Sequence, residues 1–265
     1  MRDDAGVDGS PEEFVDCPPG SRSVTRTRSV RLGDVAASGR VRLDALARYL
    51  QDVAADDGDE VGVGGAGAWV LRRGALRFDE LPRFRETVEL TTFCSGAGPR
   101  WAERRTTVRV AGRIAVESAA VWVHVDAAGR PTALEPWFYE HYGMAARDRR
   151  VSARLHLPAP PPEAQRVAWP LRTADLDVLG HVNNAIAWAA VEDELARRAP
   201  LGDGSAPRLV GATIEYRAAI DPDDAPELVS DGASDRLRCW LACGNDVRMA
   251  AVVRFEASAA EAPVT

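Results

Sequence analysis

The sequence predicts an α+β protein made of two copies of one unit, each a long helix wrapped by a curved antiparallel sheet. Three observations predict it: an internal repeat, one helical period in each copy, and the strand-like runs that follow each helix. The repeat comes first, because overlooking one miscasts a whole fold. "GRVRLDALARYL" (39 to 50) aligns with "GHVNNAIAWAAV" (180 to 191) at an offset of 141 residues. "ALRFDELP" (75 to 82) aligns with "TIEYRAAIDP" (213 to 222), and "ESAAVWVHV" (117 to 125) with "RMAAVVRFEA" (248 to 257). Each pair alone is weak, but together they keep one order and nearly one spacing.

Taken along the chain, residues 1–21 are rich in Gly, Pro and acid and read as a flexible tail. The first unit spans 22–147. Its helix is marked by Leu43, Leu46, Leu50 and Val53 at three- and four-residue steps, with Asp44 in the first turn, where the helix dipole favours an anion. The runs "WVLRRGALRF", "ETVELTTF", "ERRTTVRV" and "AVESAAVWVHV" follow as strands. Residues 148–168 contain four prolines in five positions, Pro158 to Pro162, and read as an extended linker. The second unit spans 169–258. Its helix, from Ala185 to Val191, is apolar all round and needs protein on most sides. "LVGATIEYRA", "DRLRCWLAC" and "VRMAAVVRFEA" supply its strands, and 259–265 read as a second tail.

Composition narrows the partners. A net charge of -7 argues against nucleic acid, whose phosphates need a basic surface. All 33 basic residues are arginine. No apolar run reaches the roughly 18 to 20 residues of a membrane span, and the acidic start "MRDDAGVDGSPEEF" has no apolar core of a signal peptide. A cytoplasmic protein that does not engage the membrane is expected. Cys239 and Cys243 have no histidine or further cysteine nearby, so no metal site is expected and the thiols read as reduced. His124, His141 and His156 lack metal-ligand spacing and read as structural. No redox or other cofactor is called for.

The stretch "DLDVLGHVNNAIAWAAVEDEL" (175 to 195) carries the chemistry. The first turn of a helix has backbone N–H groups without intrahelical partners, and its dipole adds positive potential, so it can hold an oxyanion. Asp177 can serve as general base for a water, or as nucleophile. Gly180 allows a sharp turn and close approach. His181 can donate to a carbonyl or relay a proton, while Asn183 and Asn184 can fix the geometry. The plainer reading is an Asn cap and an Asp turn bonded to its own backbone. The repeat weighs against it. Where the second unit has Asp177, His181, Asn183 and Asn184, the first has Ala36, Arg40, Arg42 and Leu43. Both units need a capped helix, yet one alone carries the polar set, as expected for a duplicated enzyme with one silent site.

On these residues, together with "RLDALARYLQDVA", "WVLRRGALRFDELPRFRETVELTTF", "WPLRTADLDVLGHVNN" and "ATIEYRA", the sequence resembles the acyl-acyl carrier protein thioesterases, a double hotdog family. The pattern "D-x-x-G-H-V-N-N" is similar to hotdog thioesterases generally, including the 4-hydroxybenzoyl-CoA type. The resemblance covers residues 24 to 256. It implies a tandem hotdog, hydrolysis of fatty acyl thioesters, and acyl carrier protein or coenzyme A as the carrier. It also implies an acyl pocket mainly in the first unit and catalysis in the second. The family aspartate falls on Asp177 and the histidine on His181. The family asparagine falls on Leu179, the glutamate on Ala219, and a cysteine once proposed beside it on Ile220, which are departures.

The remaining polar residues have plainer readings. Glu215 alternates with Ile214 and Tyr216 and is expected to face solvent. The run Glu192, Asp193, Glu194 is expected to mark an exposed helix end. Trp69 and Trp122 are read as core. An acidic carrier protein would need a local basic face, for which "SRSVTRTRSVR" (21 to 31) and "RDRRVSAR" (147 to 154, with Arg149 and Arg150) are the densest stretches. A binding protein that holds acyl thioesters without cleaving them is a second reading, favoured by Leu179 and Ala219. An acyl-CoA hydratase is a third. Monomer and homodimer both remain open.

Overall fold

The computed structural model describes residues 14–62, 68–146, 149–198 and 208–256. Among these residues ten strands form one antiparallel sheet and three α-helices pack on it. In chain order these are β1 (Val24–Ser29), α1 (Leu43–Val61), β2 (Ala68–Phe78), β3 (Thr87–Ala97), β4 (Trp101–Val110), β5 (Arg113–Val125), α2 (Pro136–Ala146), β6 (Gln165–Ala168), α3 (Asn184–Arg198), β7 (Leu209–Tyr216), β8 (Glu227–Ala233), β9 (Arg236–Cys243) and β10 (Asp246–Phe255). The sheet order is β1-β3-β4-β5-β2-β7-β10-β9-β8-β6. Read from the centre outward, the two halves are the same list, so the duplication is a palindrome in space.

The halves join where β2 pairs with β7, with Gly74 opposite Ile214. A Cβ at Gly74 would lie 3.3 Å from the Ile214 side chain, so the seam is closed by a residue without one. α1 and α3 lie against each other on the sheet. Leu43, Leu46 and Val53 of α1 are buried, and so are Ala185, Ala187, Trp188, Ala190 and Val191 of α3, in one core with Val88, Leu90, Leu237 and Leu241. The expected apolar stripe of α1 and the wrapped surface of α3 are therefore both present.

Four elements had no counterpart in the sequence reading: β1, β6, β8 and α2. β1 and β6 are the two edges, where a strand needs only one partner. "ELVSDGA" in β8 has no sustained alternation. α2 is mostly apolar and aromatic, without a polar face to reveal a period.

The linker docks onto the sheet. The Trp101 indole donates to the carbonyl of Val151 at 2.9 Å, Arg73 to that of Arg154 at 3.0 Å, and the Trp240 indole to that of Pro158 at 2.9 Å. The buried carboxylate of Glu215 accepts the backbone N–H groups of His156 and Leu157, at 2.5 and 3.1 Å. The expected solvent-facing Glu215 is corrected: it fastens the strap, because a backbone crossing the sheet must find acceptors for its own N–H groups. At the other end of the chain, the Phe14 ring lies under the guanidinium groups of Arg77 and Arg105, so residues 14 to 21, read as part of a tail, begin on the sheet. Residues 1–13 and 259–265 lie outside the described residues.

Candidate active site

Each helix of the repeat is entered through the same loop, matched bond for bond. In the first half the Arg31 N–H donates to Asp34 Oδ2 at 2.9 Å, Ala36 N–H to the Arg40 carbonyl at 2.8 Å, Gly39 N–H to that of Ala36 at 2.8 Å, and Arg42 N–H to that of Asp34 at 2.9 Å. In the second half, 141 residues on, Arg172 bonds Asp175 at 2.8 Å, Asp177 bonds His181 at 2.9 Å, Gly180 bonds Asp177 at 3.0 Å, and Asn183 bonds Asp175 at 2.9 Å. Gly39 and Gly180 both have φ of 80°. That left-handed conformation is costly for a residue with a Cβ and accounts for both glycines.

Identical frames present different chemistry. In the first half the N-terminus of α1 is closed: Leu43 N–H donates to the Glu192 carboxylate at 2.7 Å, and Arg40 grips the same carboxylate through two bonds of 2.8 and 2.9 Å. A groove of about 690 Å³ lies beside it, walled by Arg42, Asp44, Trp169, Arg172, Glu192 and Arg197. Its walls are largely ion-paired, so the groove, although the larger space, is not where we place the chemistry. The expectation that Glu192 to Glu194 mark an exposed helix end is corrected. Glu192 and Glu194 are buried, Glu194 bonding Arg198 and Ser230 at 2.7 Å each, and Asp193 accepts the Trp169 indole at 3.1 Å.

In the second half the corresponding N–H is open. Asn183 N–H goes to Asp175, and its Oδ1 caps the Ala185 N–H at 2.8 Å, so Asn183 holds the helix start. The Asn184 N–H has no acceptor among the described residues, while the Asn184 carbonyl accepts the Tyr216 hydroxyl at 2.8 Å. Half-buried Asp177 uses Oδ1 to accept the Leu179 N–H at 2.9 Å, leaving Oδ2 without a hydrogen bond among the described residues. Exposed His181 places Nε2 3.6 Å from Asp221 Oδ1. Asp221 went unremarked in the sequence. The Val182 N–H donates to the Ile220 carbonyl at 3.0 Å, which pins Asp221 beside His181, and no local pattern encodes that pairing. Leu179 and Ala219, where the resemblance implies polar residues, are both exposed.

Behind the start of α3 lies a cavity of about 50 Å³ whose wall includes Ala185, Trp188, Ile214 and Tyr216. It shares Gln51, Ala54, Arg104 and Trp122 with a larger cavity of about 370 Å³, lined further on by Trp69, Phe138 and Tyr142 of the first half. Neither wall includes Asp177 or His181, which belong to the loop that enters the same helix. Trp69 and Trp122, read as core, line this space; sequence pattern cannot separate a core wall from a cavity wall, since both are apolar. Polar side chains interrupt it, Gln51, Arg104 and Tyr142 among them. Arg104 pairs with buried Asp57 at 2.7 Å, and burial pushes the Tyr142 phenol up to about 12. Cys94, also in the wall, is pushed up to about 11 by burial, so it offers no thiolate at neutral pH.

Three of the four arginines of 21 to 31 are ion-paired: Arg22 with Asp57 and Glu60, Arg26 with Asp56 and Glu60, and Arg28 with Asp52, which offsets part of the basic charge read there. In the second stretch Arg149 pairs with buried Glu103, and residues 147 and 148 lie outside the described residues. Among the described residues no cluster of three or more His, Cys, Asp or Glu could hold a metal, and no helix is long and apolar enough to cross a membrane.

Residues 22–142 match the family model of the acyl-ACP thioesterase N-terminal domain. An uncharacterised protein of Mycobacterium tuberculosis is 26% identical over 224 residues, covering 83% of this chain and 87% of that protein. The chloroplastic palmitoyl-acyl carrier protein thioesterase of Arabidopsis thaliana is 25% identical over 220 residues, 74% of this chain and 52% of that protein. Among solved structures, the 12:0-ACP thioesterase of Umbellularia californica superposes with a TM-score of 0.76 at 19% identity, covering 88% of this chain and 97% of that one. The palindromic sheet is thus the tandem hotdog expected from the resemblance.

Proposed function

From an acyl-ACP thioesterase N-terminal domain at residues 22–142 on a tandem hotdog fold, we propose that this protein hydrolyses fatty acyl thioesters, carried on acyl carrier protein or coenzyme A, at the start of α3. One observation carries the reading. Of two helix N-termini built on the same loop, that of α1 is filled by a carboxylate, and that of α3 is open, beside an apolar cavity and Asp177. The larger cavity, about 370 Å³, falls in the ordinary range of small-ligand pockets, about 300 to 1,000 Å³. It would take the acyl chain.

In the reaction, a water oxygen bonds to the acyl carbon and the carbonyl electrons move onto oxygen. The Asn184 N–H and the dipole of α3 stabilise that oxyanion. Asp177, with Oδ2 open, accepts the water's proton. Collapse of the tetrahedral species breaks the C–S bond, and the proton passes to the leaving sulfur, releasing a thiol and a fatty acid. His181, oriented by Asp221, relays protons at the exposed mouth.

The test is thiol release from C8 to C18 acyl thioesters by wild type and by Asp177→Asn. The substitution keeps the Oδ1 acceptor for Leu179, so it removes charge and basicity while sparing the loop. Turnover should fall at least about a hundredfold, the usual contribution of positioned acid–base assistance. A variant retaining more than about a third of the wild-type rate removes Asp177 from the mechanism, since that assistance is worth about 10² or more. A second reading, retention of acyl thioesters without hydrolysis, is favoured by exposed Leu179 and Ala219 at the family's polar positions. Wild type that binds these thioesters and leaves them intact would select it.

A further inference from the structure

The repeat assigns a partner to the open helix end. Glu192 lies eight residues into α3 from Asn184, and Gln51 lies eight residues into α1 from Leu43, the same 141-residue offset as the entry loops. The two helices pack face to face across the internal two-fold of the sheet. Glu192 of α3 reaches the Leu43 N–H of α1 at 2.7 Å. The same operation would set Gln51 of α1 toward the Asn184 N–H of α3. The cavity walls agree: Gln51 and Ala185 line the same 50 Å³ space. The Gln51 amide has no hydrogen bond to any described residue, and it stands where the two cavities share a wall.

The difference of one residue type is chemically decisive. A glutamate at this position is an anion that accepts from the helix N-terminus and fills it. A glutamine is neutral and carries N–H donors of its own. With its donors turned to the cavity it would leave the backbone N–H free and offer a second donor to the same space. We propose that Gln51, contributed by the half without an acid, donates through Nε2 to the thioester carbonyl oxygen and forms a two-donor oxyanion site with the Asn184 N–H. The first half would then be more than a pocket wall: it supplies a reacting-atom contact. The reading rests on the thioesterase function above.

Two variants test it, with Asp177→Asn beside them. Gln51→Glu should install in the second half the plug that Glu192 forms in the first. Thermal stability should hold or rise, while kcat/KM falls by about 10² or more, the loss typical of a disabled oxyanion donor. Gln51→Ala should lower kcat by a similar factor, equally for every chain length and with little change in KM. A residue that merely shapes the pocket would instead alter KM in a length-dependent way. If both variants keep more than about a third of the wild-type rate while Asp177→Asn is inactive, the assignment of Gln51 fails and the thioesterase reading stands, because a lost donor costs about 10². If the Gln51 variants are impaired but Asp177→Asn is not, Asp177 is misassigned and Gln51 stands. If wild type hydrolyses nothing, binding of dodecanoate, whose carboxylate occupies the oxyanion position, decides by calorimetry. Gln51→Glu weakening it at least tenfold supports the proposal, whereas equal binding, or none by wild type, overturns it.

Discussion

Tyr216, the last residue of β7, donates its hydroxyl proton to the carbonyl oxygen of Asn184, the first residue of α3, at 2.8 Å. The bond ties the central seam of the sheet to the helix end that bears the open N–H. Burial holds the phenol far above its usual pKa, so it stays a donor throughout the working pH range. Tyr216→Phe removes the hydroxyl that makes this tether. Stability should fall by about 1 kcal/mol, the net worth of one such bond, and turnover should fall several-fold as the helix start loses its register. Denaturant unfolding and thiol-release kinetics on the same preparation check both.

The departures at Leu179 and Ala219 are open to repair. Both residues are exposed, so Leu179→Asn and Ala219→Glu carry little structural cost. Together they should raise kcat at least several-fold if the site is a thioesterase working without two of its polar groups. No gain would mean that Asp221, already 3.6 Å from His181, fills that place in this chain.

Ala54 lines both cavities. Ala54→Phe fills the shared wall with a ring and should bar the deeper chamber. The expected signature is a shift in chain-length preference, with C16 and C18 thioesters losing far more than C8. A uniform loss at all lengths would point to misfolding instead, which far-ultraviolet circular dichroism checks.

Glu215 gathers two backbone N–H groups of the strap in a buried position. Charge-assisted bonds of this kind are worth about 1.5 to 3 kcal/mol each. Glu215→Ala should therefore cost about 3 kcal/mol and expose residues 151 to 164 to protease. Limited proteolysis showing no faster cleavage there would contradict the strap's dependence on this carboxylate.

Acid sensitivity follows from two buried carboxylates. Burial alone would raise Glu103, but Arg105, Ser95 and Arg149 outweigh it and hold the acid below its usual range. Burial is likewise outweighed at Asp44 by bonds from Arg42 and Arg48. A depressed folded-state pKa contributes stability that is complete above the unfolded value of roughly 4 and drains as pH falls through the folded one. Unfolding free energy should thus be flat from neutral pH to about 5 and decline below about 4. Glu103→Gln should flatten part of that decline and lower the plateau. An unchanged acid limb would show that Glu103 does not govern it.

Much of this molecule was legible in one dimension. The period of Leu43, Leu46 and Val53 marks α1, the alternating runs mark seven strands, and the 141-residue repeat marks the duplication, because amphipathic pattern and repetition are local properties of a chain. Asp177, Gly180, His181, Asn183 and Asn184 lie within eight positions, so the candidate site could be read as a motif. The sequence by itself determined the two units, the kind of element in each, and the polar set that distinguishes the second. Tertiary structure decided the rest. Whether Glu192 and Glu215 meet water or backbone, whether Trp69 and Trp122 bound a core or a cavity, and which N–H is open all depend on partners far away in sequence. Leu43 finds Glu192 across 149 residues, and Leu157 finds Glu215 across 58. A buried polar group must be satisfied by whichever group the fold brings within 3 Å or so, and that identity is fixed by packing rather than by any neighbour along the chain.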